Sequence, residues 1–418
     1  MPIHVNSKTI LVPTAKTPKV TKGRISIPNL KADRLGTLSF LSWWKRETVQ
    51  DAHIMVVGAG ALGNEVLKNL ALMGIGHIFI VDFDTIEMSN LSRSVLFRQD
   101  DAGHSKAETA TRRLRDINPD IDIQYIEGNI NVDVGAGLFR RMDAVIGCLD
   151  NRRARWRINE LCYRVGVPWV EGAIENLWGK MEVFDPRTEH ACYNCSLKDV
   201  DFREMNARRS CQIYAQRDVA SGKVPTTSTA SSIIGAMQVQ EALKLIHNMY
   251  TQPGARFMFN GFNNDQTISQ DTRNPDCEHH YRYPKPVAIE NATHDQTYMI
   301  DLLDFIQGEM GGPATILLGY DFVLKGTCSY CEVTREIMKP LEHLNAADHT
   351  CPQCGQAETL QINEFEDIIN RITGREPFLE RTLNAFGVPP LTILDAVDYA
   401  GNSQSFELTG DAARYGLT

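Results

Sequence analysis

HIMVVGAGALGNEVLKNLALMGIGHIFIVD, residues 53–82, decides the fold. A short apolar run from Ile54 to Val57 meets Gly58, Gly60 and Gly63; a helical run follows to Gly74 and Gly76, and a second apolar run ends in Asp82. The order reads strand, glycine turn, helix, strand, which is the opening of a nucleotide-binding α/β unit. In this reading Gly58 permits the tight turn, Gly60 lets backbone N–H groups approach a phosphate, and Gly63 lets the helix lie close on the strand. Asp82 falls about 20 residues past the last glycine, where a carboxylate can hold a ribose hydroxyl. Nucleotide and dinucleotide sites share this pattern, so the ligand is decided elsewhere in the chain.

With 418 residues the chain has room for two or three domains, each with its own core. Its 43% hydrophobic and 23% charged residues are ordinary for a soluble globular protein. No apolar run approaches the roughly 18 residues of a membrane span, and residues 1–22 lack a secretory core. The expectation is a cytoplasmic protein with no membrane partner. A net charge of −9 argues against a general nucleic-acid binder. Ten cysteines in a reducing compartment point to metal sites or catalysis before disulfides.

Residues 1–33 carry scattered prolines and lysines without a sustained period and read as an N-terminal arm. RLGTLSFLSWWKRETVQD, 34–51, is expected to be a helix docked through Leu38, Leu41, Trp43 and Trp44. After the opening unit come a helix containing Lys106 and ending near Asn118-Pro119, a strand over 121–126, a strand in DAVIGCLD (143–150), and the helical RRARWRINELCYRVG. Such alternation predicts a Rossmann-like, mixed but mostly parallel sheet covered on both faces. WVEGAI and GKMEVFDP extend it antiparallel. A polar stretch of about 190–226 is too long for an ordinary loop and reads as a crossover. A helix opening on a Ser/Thr cap and the strand RFMFNG then close this domain near residue 285. From about 290 to 418 the chain reads as a small accessory domain: strand TILLGYDFVL, helical INEFEDIINRIT, and a hairpin turning near Gly401-Asn402.

Further residues separate a triphosphate site from a dinucleotide site. Asn90-Leu91-Ser92-Arg93 places a guanidinium shortly after the strand ending in Asp82, Lys106 adds an ammonium at a helix start, and Asp150-Asn151 sits at a strand end, where a carboxylate can hold Mg²⁺. Two cations and a metal are what nucleotidyl transfer at an α-phosphorus requires. Hydride transfer needs no such cluster. Each residue taken alone is equally well a surface charge or a cap.

GAGALG, DFDTIEMSNLSR, HSK and CLDN, in this order and spacing, resemble the adenylyltransferases of thiamine and molybdopterin biosynthesis and the ubiquitin-activating enzymes. The resemblance covers about residues 34–285. It implies ATP and Mg²⁺ as cofactors, with Asp82 on the ribose, Arg93 and Lys106 on the phosphates, Asp150 on the magnesium, and Asp84 and Asn90 also beside the nucleotide. It further implies adenylation of the C-terminal glycine of a ubiquitin-like protein by a homodimer, in which Arg34 reaches the partner's site.

Cys192-x-x-Cys195 has a counterpart in Cys277-Glu278-His279-His280, where the resemblance implies a second C-x-x-C. His280 then takes the place of the fourth cysteine, with His279 as the alternative, in a structural zinc site. Cys328-x-x-Cys331 with Cys351-x-x-Cys354 has zinc-ribbon spacing on its own account. Of the remaining three, Cys148 and Cys162 lie in apolar elements and read as core. Cys211 stands in RRSCQIYAQRD, where Arg208, Arg209 and Arg217 favour a thiolate. The resemblance makes it a thioester nucleophile, from which a conjugating enzyme would receive the acyl group. The rival readings are a sulfur-carrier adenylyltransferase without an obligatory thioester, a scaffold that only docks a ubiquitin-fold partner and, more distantly, an NAD-dependent oxidoreductase.

Overall fold

The computed structural model describes residues 33–198, 201, 225–363 and 365–417. In chain order the first layer set comprises α1 (Arg46–Gln50), β1 (His53–Val57), α2 (Ala61–Met73), β2 (His77–Val81), α3 (Lys106–Ile117), β3 (Asp122–Ile126), α4 (Ala136–Phe139), β4 (Ala144–Gly147), α5 (Arg152–Val165), β5 (Trp169–Glu175), β6 (Trp178–Phe184), α6 (Ser228–Ile246), β7 (Ala255–Asn260) and β8 (Asp265–Gln270). The strands line up as β3-β2-β1-β4-β5-β6-β7-β8. Pairing is parallel from β3 across to β5 and antiparallel from β5 to β8. This is the expected Rossmann-like sheet with its antiparallel extension. The order reverses between β1 and β4, so the carboxyl ends of these two strands open a crevice for a ligand.

Near-continuous apolar runs explain the parallel core. β1 and β2 bury all but their first residue and β4 buries every residue, as strands covered by helices on both faces must. Trp169 stacks on Phe184 at the start of β5, and Tyr193 meets both rings edge-on.

The second sheet begins at β9 (Val287–Ile289) and continues, after α7 (Met299–Glu309), with β10 (Ala314–Cys328), β11 (Thr334–Pro340), β12 (Leu360–Gln361), β13 (Ile368–Ile372), β14 (Ile393–Asp398) and β15 (Ser403–Leu408). Its path is β11-β10-β14-β15-β9, with β12 and β13 also on β10. Met299, Leu303 and Ile306 of α7 pack on Phe322, Phe386 and Phe406. The hairpin expected at Gly401-Asn402 is β14–β15, with Gly401 at φ +85°. The helix expected in INEFEDIINRIT is not formed. Asp367 Oδ2 accepts from Asn363 N (2.8 Å) and Asn363 Oδ1 from Phe365 N (3.0 Å), which closes a turn, and Ile369 and Ile372 then pair with Phe322 and Ile316 of β10.

This sheet rests on the first. Leu391, Ile393 and Leu417 share one buried cluster with Phe139, Val145 and Trp169. Gly137 N donates to Leu391 O (2.8 Å), and buried Glu407 receives Arg140 and Arg141, each at 2.5 Å. Arg153 pairs with buried Glu342, and His343 Nε2 lies 2.7 Å from Asp133 Oδ1.

Residues 1–44 form a unit of their own. Its described part is a 3-10 turn over Gly36–Phe40. The continuous helix expected over 34–51 is therefore divided between this turn and α1. Ser39 Oγ donates to Gly36 O (2.6 Å), and Leu41 at the turn's end is extended. A hydroxyl that competes for backbone partners and a glycine at the start both work against a long helix.

Candidate nucleotide site and metal centres

The glycine turn is built by close approach. Gly58 has φ +96°, and a β-carbon there would stand 2.4 Å from Cys148 O; one at Gly63 would stand 1.9 Å from Gly58 O. Both contacts press the turn between α2 and the end of β4. Gly60 differs, because a β-carbon there would face open space. It is the N-cap of α2 and supplies no side-chain cap, so the helix presents its first N–H groups bare, as an anion-binding end does.

Asp82, Asp84 and Lys106 come together beside this turn. Asp82 Oδ2 accepts from Ala59 N (2.6 Å) and Oδ1 from Asp84 N (2.8 Å). Burial pushes its carboxyl above the usual range, against the pull of Lys106 and these two N–H groups. Lys106 is nearly buried at the first position of α3, with its Nζ 2.7 Å from Asp84 Oδ2. Asn90 Oδ1 accepts from Glu87 N (3.0 Å), which shapes the turn before Arg93, and half-buried Arg93 donates from Nη1 to Ser89 O (2.8 Å). Asp150 is exposed just beyond β4; Asn151 Nδ2 donates to its Oδ1 at 3.3 Å, and Asn151 Oδ1 caps α5 through Ala154 N (2.9 Å). Arg34 lies in the first unit, two residues before the Gly36–Phe40 turn. Cys211 lies outside the described residues.

Three polar side chains, Asn64 and Gln238 buried and Arg155 nearly so, brace these pieces and were missed from sequence. Asn64 Nδ2 donates to Ala59 O (2.7 Å) and Gly60 O (3.0 Å), while its Oδ1 receives Leu96 N (2.8 Å), so one side chain ties the glycine turn to the segment after Arg93. Gln238 Nε2 of α6 donates to Gly147 O (2.8 Å) and Val170 O (3.2 Å). Arg155 donates from Nη2 to Leu149 O (2.5 Å), and its Nε lies 2.5 Å from Glu171 Oε1. The available signal was an amide or guanidinium on a helix face otherwise destined for the core.

Two cysteine clusters fit zinc. Cys192 Sγ is 3.7 Å from both Cys195 Sγ and Cys277 Sγ, and Cys195 Sγ is 3.3 Å from His280 Nε2. A tetrahedral ion with Zn–S near 2.3 Å sets its sulfurs roughly 3.8 Å apart, so four such donors can share one ion. His279 turns instead edge-on to Trp156. The hydrogen bond between Cys192 and Cys195 lowers the Cys195 thiol and raises that of Cys192, as two thiols sharing one proton do. In the second cluster Cys331 and Cys351 lie 3.5 Å apart and Cys328 and Cys354 3.9 Å. Each cluster uses four ligands and leaves no open position, the mark of a structural site. Cys148 and Cys162 are buried, and burial raises both thiols well above their usual value, in keeping with a core role.

The sequence profile of the ThiF family matches residues 33–279. The molybdopterin-synthase adenylyltransferase of Salmonella typhimurium is 30% identical over 235 residues, covering 56% of this chain and 88% of that protein. The SAMP-activating enzyme E1 of Haloferax volcanii is 30% identical over 228 residues, covering 54% of this chain and 79% of that protein. A crystal structure of Escherichia coli MccB with ATP superposes with a TM-score of 0.48 at 24% identity, over 61% of this chain and 76% of that one. On the profile match and the 30% identity that spans 88% of the Salmonella protein, the chain belongs to the ThiF family.

Proposed function

We propose that the chain is an adenylyltransferase that uses ATP and Mg²⁺ to activate the C-terminal glycine of a ubiquitin-like protein. The observation that carries this reading is the junction of a nearly buried, Asp84-held Lys106 and Asp82 with a glycine turn whose helix end is bare. A carboxylate is a poor electrophile because attack adds charge to an anion. Its attack on the α-phosphorus forms the acyl–O–P bond of an acyl adenylate and expels pyrophosphate. In this reading the Gly60 turn and Lys106 hold the phosphates, Arg93 swings from Ser89 to the triphosphate, Asp82 takes the ribose, and Asp84 and Asn90 shape the surrounding wall. Asp150 is the residue to hold magnesium, which would neutralise charge on the phosphoryl oxygens. The protein's work is positioning and electrostatics.

From the adenylate, Cys211 would take the acyl group as a thioester with release of AMP, and a conjugating enzyme would accept it. Residues 1–33 form the arm, 34–285 the adenylation domain and 290–418 an accessory domain in this scheme, within a cytoplasmic homodimer that shares Arg34 across its subunits. The names of its relatives, one a molybdopterin-synthase adenylyltransferase and one a SAMP-activating E1, support both a sulfur-carrier and a modifier pathway. A small protein ending in glycine should elicit ATP–pyrophosphate exchange that Lys106→Ala or Asp150→Asn lowers by roughly 100-fold or more. Absence of exchange across such proteins would leave a docking scaffold instead. A thiol-labile adduct lost in Cys211→Ala, with exchange retained, would select the thioester route; exchange without adduct selects the sulfur-carrier route.

A further inference from the structure

The first turn of α5 carries a nearly buried arginine that this mechanism does not use. Arg155 has a side chain 12% exposed and faces Glu171 of β5, itself 1% exposed. Its Nη2 donates to the carbonyl of Leu149, the peptide group that leads into Asp150. A guanidinium is costly to bury and is retained only where its fork is well paired. Here Nη2 reaches one loop carbonyl, and Nε stands 2.5 Å from Glu171 Oε1 as an ion pair without an aligned hydrogen bond. Asp150, by contrast, is exposed, and the hydrogen bond its carboxylate receives comes from the adjacent Asn151 at 3.3 Å. The peptide group that precedes Asp150 is thus tied to Arg155, whose charge also lies close enough to act on the Asp150 carboxylate.

We propose that Arg155, locked by Glu171, is a positioning residue that fixes Asp150 for a divalent cation bound with ATP. The proposal rests on the reading of Asp150 as the metal-holding carboxylate. Groups that orient metal ligands from behind typically change metal affinity by roughly 10- to 100-fold when altered. A lysine at 155 keeps the charge but has a single point donor, so it cannot serve both the carbonyl and the carboxylate. Glu171→Gln keeps the volume and loosens the lock without removing the arginine.

The test is ATP binding to the full-length chain by calorimetry, with and without Mn²⁺ as the probe cation. The ratio of the two affinities is the metal increment. Arg155→Lys is expected to cut this increment by roughly tenfold while leaving metal-free ATP affinity unchanged, and Glu171→Gln to move it in the same direction by less. Equal loss of both affinities in Arg155→Lys, or no loss of the increment, overturns the proposal and makes the pair merely structural. Should Arg155→Lys not fold, Glu171→Gln decides by the same criterion. If Asp150→Asn abolishes the increment and the Arg155 and Glu171 variants keep it, the proposal alone fails; if the unaltered chain shows no increment, the reading of Asp150 fails and takes the proposal with it.

Discussion

Gly63 lies so close beneath Gly58 that a β-carbon on it would stand 1.9 Å from the Gly58 carbonyl oxygen, whereas the same atom on Gly60 would touch nothing. The two glycines answer to different demands, backbone packing in one case and an open approach in the other. Gly63→Ala must push a backbone carbonyl aside and is expected to lower stability by at least about 2 kcal/mol. Gly60→Ala should cost less than about 1 kcal/mol in stability yet weaken ATP binding, because the methyl group enters the space above the helix end. Thermal melts and ATP titration of the two variants check the contrast; equal melting losses would refute it.

The contact between His343 and Asp133 gives the junction of the two sheets a pH dependence. The hydrogen bond to Asp133 raises the His343 imidazole above its usual value of 6.5, more than burial lowers it. A folded-state value above the unfolded one means that the stabilisation is complete below about pH 6.5 and is lost as the pH climbs through the raised value. His343→Gln should flatten the stability profile between neutral and mildly alkaline pH without altering it at higher pH. Denaturation midpoints across that range measure the effect; an unchanged slope in the variant would remove the clamp as its cause.

Metal content should be two zinc ions per chain, one for each cysteine cluster. Cys351→Ser is expected to remove one ion and loosen the end of β10 where Cys328 sits, while leaving the Rossmann-like sheet folded. Elemental analysis together with limited proteolysis reads both consequences. Retention of two ions in Cys351→Ser would contradict the assignment.

The second sheet should not be removable without harm to the first. Glu407 is 1% exposed and pairs with Arg140 and Arg141, which are far more exposed. Replacing both arginines by alanine strands a buried carboxylate and is expected to cost about 3 kcal/mol. Replacing Glu407 leaves two cations that can reach water and should cost less. Truncation at 290 would also uncover the cluster that Leu391, Ile393 and Leu417 complete, so a truncated chain is expected to be less soluble. Surface substitutions on the second sheet are therefore the cleaner route to its role.

The glycine turn was legible in the sequence because its cause is local: no other residue fits at Gly58 or Gly63. That Asp82 follows a strand and Lys106 opens a helix was legible because the pattern of each element announces its end; Asp84 came from the resemblance alone. Asn64, Arg155 and Gln238 were not, since their partners lie on other strands and loops, and a polar side chain on a helix carries no mark of the carbonyl it will meet. INEFEDIINRIT misled for a related reason. Its isoleucines suit a helix as well as a strand, and the choice was made by the Asn363–Asp367 turn and by β10, which runs some fifty residues earlier in the chain at Ile316.

The described residues on either side of the stretch that carries Cys211 are tied to neighbouring elements. On one side Asp201 pairs with Arg152, two residues beyond Asp150; on the other Asn176 N donates to Pro225 O at 2.7 Å, and Thr227 starts α6. Cys211 shares one polypeptide with Lys106 and Asp150, the residues proposed to hold the nucleotide and its metal. In the thioester route the acyl hand-off would then be a first-order event within one molecule, with a rate independent of how dilute the enzyme is.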